Sequence, residues 1–416
     1  MRLDPSHHDW MHAGETSAVM NALSSGGGGA RFVGGAVRNA LLGRNVDDID
    51  IATPLLPAEV IRRLQASRIK AVPTGIEHGT VTAITGGKSF EITTLRRDLE
   101  TDGRHAVVAF SDSWEDDASR RDFTINALYS SLAGEVFDYF GGLADLEARR
   151  VRFVGDPVAR IREDYLRVLR LFRFHAWYGR GAMDEQSRAA AREERGGLEK
   201  LSGERLQKET LRLLQAENPL PSLRVMADDL ILAHLIPAER EEIRLDRIQR
   251  LVAIDNNNGY PADAILRLAA LLPSGFDLAI AVAVRLRLSN EKRERLVDLA
   301  AAVDKIVPAM SVEELHKLLY RLGQQRVRDR IMLRWSEDTD GSHHTGWRAL
   351  LALADMWARP SFPLSGRDVL AAGVPEGPLV GRVLSEIENW WIENDFSDDK
   401  LSLAERLKAV IQASVA

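Results

Sequence analysis

The sequence predicts an α/β head followed by a long all-α neck, body and tail, and three observations carry that expectation. Between residues 30 and 140, short runs of β-branched and aromatic residues alternate with helical segments and punctuating glycines. From about residue 141 strand signals nearly vanish, and the remainder reads as successive amphipathic helices, many rich in arginine. Within the first zone an acidic pair spaced two apart falls on a candidate strand, so the chemistry is expected in the head.

Residues 1–25 read as one short helix, closed by the loop-forming run Ser24–Gly29. Strands are expected at Arg31–Val33, Asp48–Ala52, Gly79–Ile84 and Phe90–Leu95, with another near Glu135–Asp138. Helices fit Ala36–Leu42, Pro57–Ser67 and Phe123–Leu128. The expected organisation is an N-terminal helix and linker (1–29), the head that carries the chemistry (30–140), a helical neck (141–215), and a helical body and tail (216–416). No repeat of fixed period is visible. A chain of 416 residues is too long for one ordinary core.

Composition excludes several classes of function. Hydrophobic residues make up 45% and charged residues 28%, the balance of a globular protein. The net charge of -6 gives no whole-protein signal for nucleic acid, so any such site must be a local patch. The absence of cysteine excludes disulfide staples, zinc ribbons and thiol catalysis. Apolar stretches such as 277–286 are broken by arginine well short of a membrane span. The first twenty residues mix histidines and acids where a signal peptide has a basic end and an apolar run. A cytoplasmic location without membrane contact is expected, and no protein partner is evident.

The sharpest feature is Val46-Asp47-Asp48-Ile49-Asp50-Ile51. Side chains alternate faces along a strand, so Asp48 and Asp50 would share one face while Ile49 and Ile51 enter a core. Two like charges side by side repel unless a cation sits between them, and magnesium, a hard ion that takes oxygen ligands, fits. Glu91, in Phe90-Glu91-Ile92-Thr93, stands at the same kind of alternating position and can complete the cluster. A solvated strand edge or a salt-bridged pair is the plainer alternative. Upstream, Phe32-Val33-Gly34-Gly35-Ala36-Val37-Arg38 runs a strand through Gly34 and Gly35 into a helix, which brings backbone N–H groups to one point and suits a phosphate. Arg38, on the first helical turn, has a fork able to clamp a phosphate oxygen. A tight βα turn is the alternative. Gly86-Gly87-Lys88-Ser89 ends like a P-loop but lacks the earlier glycine, where Thr82 stands, and reads as a turn.

These pieces, in order, resemble the class II CCA-adding enzymes and bacterial poly(A) polymerases of the polymerase-β nucleotidyltransferase superfamily. The matching segments are Gly34–Arg38, Asp48-Ile49-Asp50-Ile51-Ala52-Thr53, His78-Gly79-Thr80-Val81, Phe90–Arg96, Arg120-Arg121-Asp122-Phe123-Thr124-Ile125-Asn126-Ala127-Leu128, Phe140-Gly141-Gly142, Arg162–Arg170 and Glu204-Arg205. Together they span about residues 30–210. The stretch Phe362–Asp368, with Gly373, Gly377-Pro378 and Trp390-Trp391, is similar to the C-terminal part of some members. The resemblance implies a polymerase-β-like head. It implies that Asp48 and Asp50 hold Mg2+, that Gly34, Gly35 and Arg38 contact the triphosphate, and that Arg121 helps bind the nucleotide. It also implies a nucleotide pocket of Asp164, Arg167, Arg170 and Arg173 on a neck helix. Asn39 departs from the family, which usually has Asp there, and is not expected to be a ligand.

Residues 161–178 can also be read directly. Ile161, Tyr165, Val168, Leu169, Phe172 and Ala176 fall on one helical face, a core stripe. Asp164 and Arg167 are then neighbours at i, i+3. An acceptor beside a fork of donors matches the pairing edge of both C and A, and reverses that of G and U, at a large cost in unpaired groups. Arg170 and Arg173 spiral away and are expected to face phosphates or neighbouring elements. The alternative is a surface salt bridge with solvated arginines, but residues 149–180 carry nine arginines against three acids. The polar stretch Arg97–Asp117 is expected to be a flap or loop outside the core, His343-His344 a surface loop, and Trp390-Trp391 helix packing. The function expected is CCA addition to the tRNA 3′ end from CTP and ATP. The extra Arg/Lys-Arg/Lys-Phe segment that helps mark the poly(A) branch is not found. A poly(A) polymerase, a CC-only or A-only enzyme and a non-catalytic RNA-binding protein on the same scaffold stay as alternatives.

Overall fold

The computed structural model describes residues 2–25, 29–101, 106–301, 305–397 and 399–415. The chain divides into two units, residues 1–243 with 284–288, and residues 244–283 with 289–416.

The first unit opens with helical pieces rather than one helix: a 3-10 turn Pro5–His7, α1 (Asp9–His12) and α2 (Gly14–Ser24). Ala13, at φ -51° and ψ 136°, breaks the helical path between α1 and α2. Residues 26–28 of the expected linker lie outside the described residues. The head then builds a seven-stranded mixed sheet from β1 (Arg31–Val33), β2 (Asp50–Thr53), β3 (Lys70–Gly75), β4 (Thr80–Thr85) and β5 (Lys88–Thr94), completed by two later strands described below. Helices α3 (Gly35–Leu41) and α4 (Pro57–Ala66) connect them. The hairpin β6 (Arg96–Thr101) and β7 (Ala106–Phe110) forms a separate two-stranded sheet and leads to α5 (Trp114–Ser119). The main sheet is completed by β8 (Leu128–Ser130) and β9 (Val136–Asp138) in the order β3-β4-β5-β2-β1-β8-β9.

Two expectations are corrected here, and one strand is added. The segment Phe123–Leu128 is a 3-10 turn, Thr124–Asn126, running into β8, because residues that are all buried carry no period that separates helix from strand. Strand β3 contains Pro73, which hides it from a strand search; it lies at the sheet edge, where proline is tolerated. The stretch Arg97–Asp117 is hairpin and helix rather than loop, and its last residue, Asp117, is 1% exposed. Residues 102–105 of it lie outside the described residues. Glycine is required by packing at Gly142, the start of α6 (Gly142–Glu147), where a Cβ would stand 2.2 Å from the Thr124 carbonyl oxygen.

The expected neck helix 161–178 is two helices, α7 (Pro157–Glu163) and α8 (Leu166–Tyr178). Asp164, extended at φ -156° and ψ 105°, ends the first, and its carboxylate accepts the Leu166 N–H at 3.1 Å to start the second. Val168, Leu169 and Phe172 are buried as the stripe requires. Further helices α9 (Glu185–Glu193), α10 (Gly203–Leu214) and α11 (Leu220–Asp228) pack the neck. The second unit is helical throughout its named elements. Trp391, fully buried, packs there with Tyr320, Val383, Ile387 and Leu407, so Trp391 serves as core.

Candidate active site

Strands β2 and β5 run parallel, and their register pairs Asp50 with Glu91. Along β5, Phe90 and Ile92 are buried while Glu91 is exposed, so alternation puts the carboxylate on the face away from the core. Ile51 is fully buried and Ile49 only half-buried, because β2 begins at Asp50 and Asp48 stands in the segment before it. Asp48 therefore reaches the site from the end of the strand rather than from its face. Asp50 keeps access to solvent, yet the surrounding protein crowds out enough water to raise its carboxyl pKa, and the charges of Glu91 and Asp48 raise it further, while Arg121 pulls the other way. These acids repel one another, and a bound cation would relieve that.

Arg121, just after α5, acts on this site through its charge. Its Nη2 donates to Asp117 Oδ2 at 3.0 Å and its Nε to the Tyr129 hydroxyl at 3.1 Å. Tyr129 in turn donates to the same carboxylate at 2.7 Å, and Arg120 pairs with its other oxygen at 2.6 Å. Burial alone would raise the Asp117 carboxyl, but the charges of Arg121 and Arg120 bring it down to about 2. Gly34 lies against Arg121: at φ +67° and ψ -118° it holds a conformation that L side chains rarely adopt, and a Cβ there would lie 3.5 Å from Arg121 Nη1 and from the Asn126 carbonyl oxygen. Glycine is thus needed for the turn, while a Cβ would meet the guanidinium only at ordinary contact distance.

Arg38 is 6% exposed and is not a free clamp. It donates to the Oδ1 atoms of Asn126 and Asn39 and, at 2.8 Å, to the Tyr178 hydroxyl, with its guanidinium 3.9 Å from the Tyr178 ring centroid. Burial lowers its pKa, and no described carboxylate pairs with it directly. Asn39, set aside as a ligand, therefore serves as an acceptor for Arg38. Asn126 also donates to Asp122 at 2.9 Å, and Asp122 accepts from Arg170 Nε at 2.9 Å. Burial opposes the charged form of Asp122, yet Arg170, Asn126 and the Phe123 N–H hold its carboxyl far below the ordinary range.

On the neck the expected pairing of Asp164 with Arg167 is replaced by two others. Arg205, on α10, pairs with Asp164 at 2.7 Å; Arg167 pairs with Glu163 and donates to the Arg160 carbonyl oxygen at 2.7 Å. The helix break turns Asp164 out of the path of α8, so i, i+3 spacing no longer applies. Arg170 and Arg173, expected to face phosphates or neighbouring elements, face acids of neighbouring elements, Asp122 and the buried Glu209 respectively. Asp117, Asp122, Asn126, Tyr178, Glu163 and Glu209 had no assigned role in the sequence; Asp122, Asn126, Tyr178 and Glu209 gain theirs through partners on distant elements, whereas Asp117 and Glu163 pair with arginines three and four residues away. Elsewhere, Asp338, Asp340 and His343 bring potential ligand atoms within 4.8 Å of one another, but Asp338 accepts the Trp347 N–H and Asp340 accepts from Ser342 in the same loop.

A strand pair that presents acids beside a Gly-Gly turn, on a mixed sheet followed by helices, marks the polymerase-β class of nucleotidyltransferases. Comparison with known proteins agrees: residues 30–152 match the family described as Poly A polymerase head domain, and residues 182–241 the one described as a probable RNA and SrmB-binding site of polymerase A. CCA tRNA nucleotidyltransferase 1, mitochondrial, of Mus musculus is 32% identical over 392 residues, covering 91% of this chain and 86% of that protein. The CCA-adding enzyme of Limosilactobacillus fermentum is 31% identical over 407 residues, covering 95% and 96%. The crystal structure of the Bacillus stearothermophilus CCA-adding enzyme in complex with CTP superposes with a TM-score of 0.74 at 27% identity, covering 96% of this chain and 98% of that one. The chain belongs to the CCA tRNA nucleotidyltransferase family.

Proposed function

We propose that this chain completes tRNA 3′ ends, transferring CMP twice and AMP once from CTP and ATP with release of pyrophosphate. The observation that carries the reading is the parallel register of Asp50 with Glu91, acids forced together opposite Arg121. The mouse and Limosilactobacillus relatives carry CCA addition in their names, and that activity is taken over here. A donor set of hard carboxylate oxygens, without sulfur or imidazole, suits magnesium, with Asp48 and Asp50 as its ligands and Glu91 beside them. Magnesium bound there supplies neutralisation of phosphate charge and activation of the RNA 3′-hydroxyl for in-line attack. Gly34, Gly35 and Arg121 receive the triphosphate, and Arg38 braces that turn from below through Asn126. Arg170 and Arg173 hold the neck through Asp122 and Glu209. The helices from residue 216 onwards contribute tRNA contacts. No helix among the described residues is long and apolar enough to cross a membrane, and the proposed site of action is the cytoplasm.

Asp164 and Arg167 read the base in this proposal. Glu163 and Arg205 orient them without exhausting them, since a guanidinium has five donors and a carboxylate about four acceptor positions. Arg167→Ala removes the donor to the ring nitrogen shared by C and A. The loss of a charge-assisted hydrogen bond, about 1.5–3 kcal/mol, lowers C and A addition roughly ten- to hundredfold. Addition of U and G falls much less. Single-nucleotide addition with each of the four triphosphates checks it; an equal drop for all four would make Arg167 a brace for Glu163 instead.

A further inference from the structure

The arginine excess of residues 149–180 is largely cancelled inside the fold. Arg150 and Arg152 pair with Asp145, Arg160 and Arg167 with Glu163, Arg162 with Glu194, Arg170 with Asp122 and Arg173 with Glu209. Arg149 and Arg180 remain, with no carboxylate partner among the described residues. Both line one cleft of about 650 Å³, together with Arg44 from the segment after α3, which likewise has no described carboxylate partner. Arg44 and Arg180 are exposed, and the Arg180 N–H donates to the Arg149 carbonyl oxygen at 2.9 Å, which ties two of the three arginines together.

Aromatic surfaces complete the cleft. Tyr178 lies under the Arg44 guanidinium, 5.0 Å from ring centroid to Cζ, and holds Arg38 through its hydroxyl. Trp177, 36% exposed, is pinned by its indole N–H to the Arg212 carbonyl oxygen at 2.8 Å. One carboxylate, Glu217, also lines the wall, so cations outnumber it three to one. Unpaired arginines beside rigid aromatic rings are the means by which proteins follow a nucleic-acid strand, the cations on phosphates and the rings on bases or riboses. A free triphosphate fits less well: the cleft contains neither the Gly-Gly turn nor the carboxylate cluster that would hold a metal.

We propose that this cleft binds the phosphodiester backbone of the RNA substrate, a subsite separate from the carboxylates that flank Asp50. The proposal rests on the reading of the chain as an enzyme that extends RNA. The test compares the wild type with the double variants Arg44→Ala/Arg180→Ala and Arg44→Lys/Arg180→Lys. The probe is a tRNA transcript ending at its discriminator base, with binding measured without nucleotide at several KCl concentrations and the KM for CTP measured separately. The alanine pair is expected to weaken RNA binding roughly ten- to thirtyfold at 0.15 M salt, and to flatten the plot of log affinity against log salt by about 1.4–1.8. The lysine pair restores the slope because it restores the charge. The KM for CTP stays within about twofold. RNA affinity and slope unchanged in the alanine pair overturn the proposal, and so does a raised KM for CTP with RNA affinity intact, which would mark a nucleotide site. If the wild type binds the transcript but never extends it, the catalytic reading fails while the binding measurements still decide the cleft.

Discussion

Asp50→Ala is expected to reduce nucleotide transfer by about three orders of magnitude or more, with the fold intact. Metal-assisted stabilisation of phosphoryl charge is worth several kcal/mol, and each 1.36 kcal/mol is about tenfold in rate. Asp48→Ala should act in the same direction. The structural consequence runs the other way: Asp50 is crowded by Glu91 and Asp48, so removing one charge relieves repulsion in the metal-free chain. Melting without divalent cation should therefore leave Asp50→Ala at or above the wild-type Tm, while added magnesium raises the wild type alone. Near-normal transfer by the variant would remove Asp50 from the metal site.

The largest stability effect is expected at Asp117. Its carboxylate, 1% exposed, serves Arg120, Arg121 and the Tyr129 hydroxyl at once. Asp117→Ala strands those donors in a dry setting, a change that costs about 3–5 kcal/mol. For a unit of this size that lowers the Tm by roughly 6–20 °C. Arg121 also loses the anchor that holds it against Gly34, so activity should fall at temperatures where the variant remains folded. The pH dependence has a definite sign. The folded carboxyl lies at about 2 against an ordinary 3.8, so its stabilisation is fully present above the ordinary value and is lost as pH falls through about 2. The shift corresponds to about 2 kcal/mol at most. Urea unfolding at pH 5 and pH 2 should show the stability gap between wild type and Asp117→Asn narrowing by that amount; a constant gap would show that the carboxylate's charge is not what stabilises the site.

Much of the head was legible because its signals are local. Alternation along Phe90–Ile92 located Glu91 on the polar face, whereas Asp48, expected to share a strand face with Asp50, stands in the segment before the strand. The Gly34-Gly35 step announced a turn that favours glycine, and the positive φ of Gly34 agrees. What escaped was pairing between distant elements. Arg170 was expected to face a phosphate or a neighbouring element, and nothing in its spacing showed that Asp122, 48 positions away, would be the neighbour. Asp164 was placed on one helix with Arg167, although an Asp just before an apolar run is also a helix-start signal, and that second meaning prevailed. The basic excess at 149–180 was visible as a number, but only the ion pairs reveal that two of its nine arginines have no carboxylate partner among the described residues.

The most direct measurement offers the protein a tRNA transcript that ends at its discriminator base and sizes the products at single-nucleotide resolution. With CTP alone the transcript should lengthen by two residues and stop. With CTP and ATP together it should lengthen by three and stop, and magnesium should be required in both cases. Long adenylate tails from ATP alone, or no extension of a transcript that the protein binds, would contradict CCA addition.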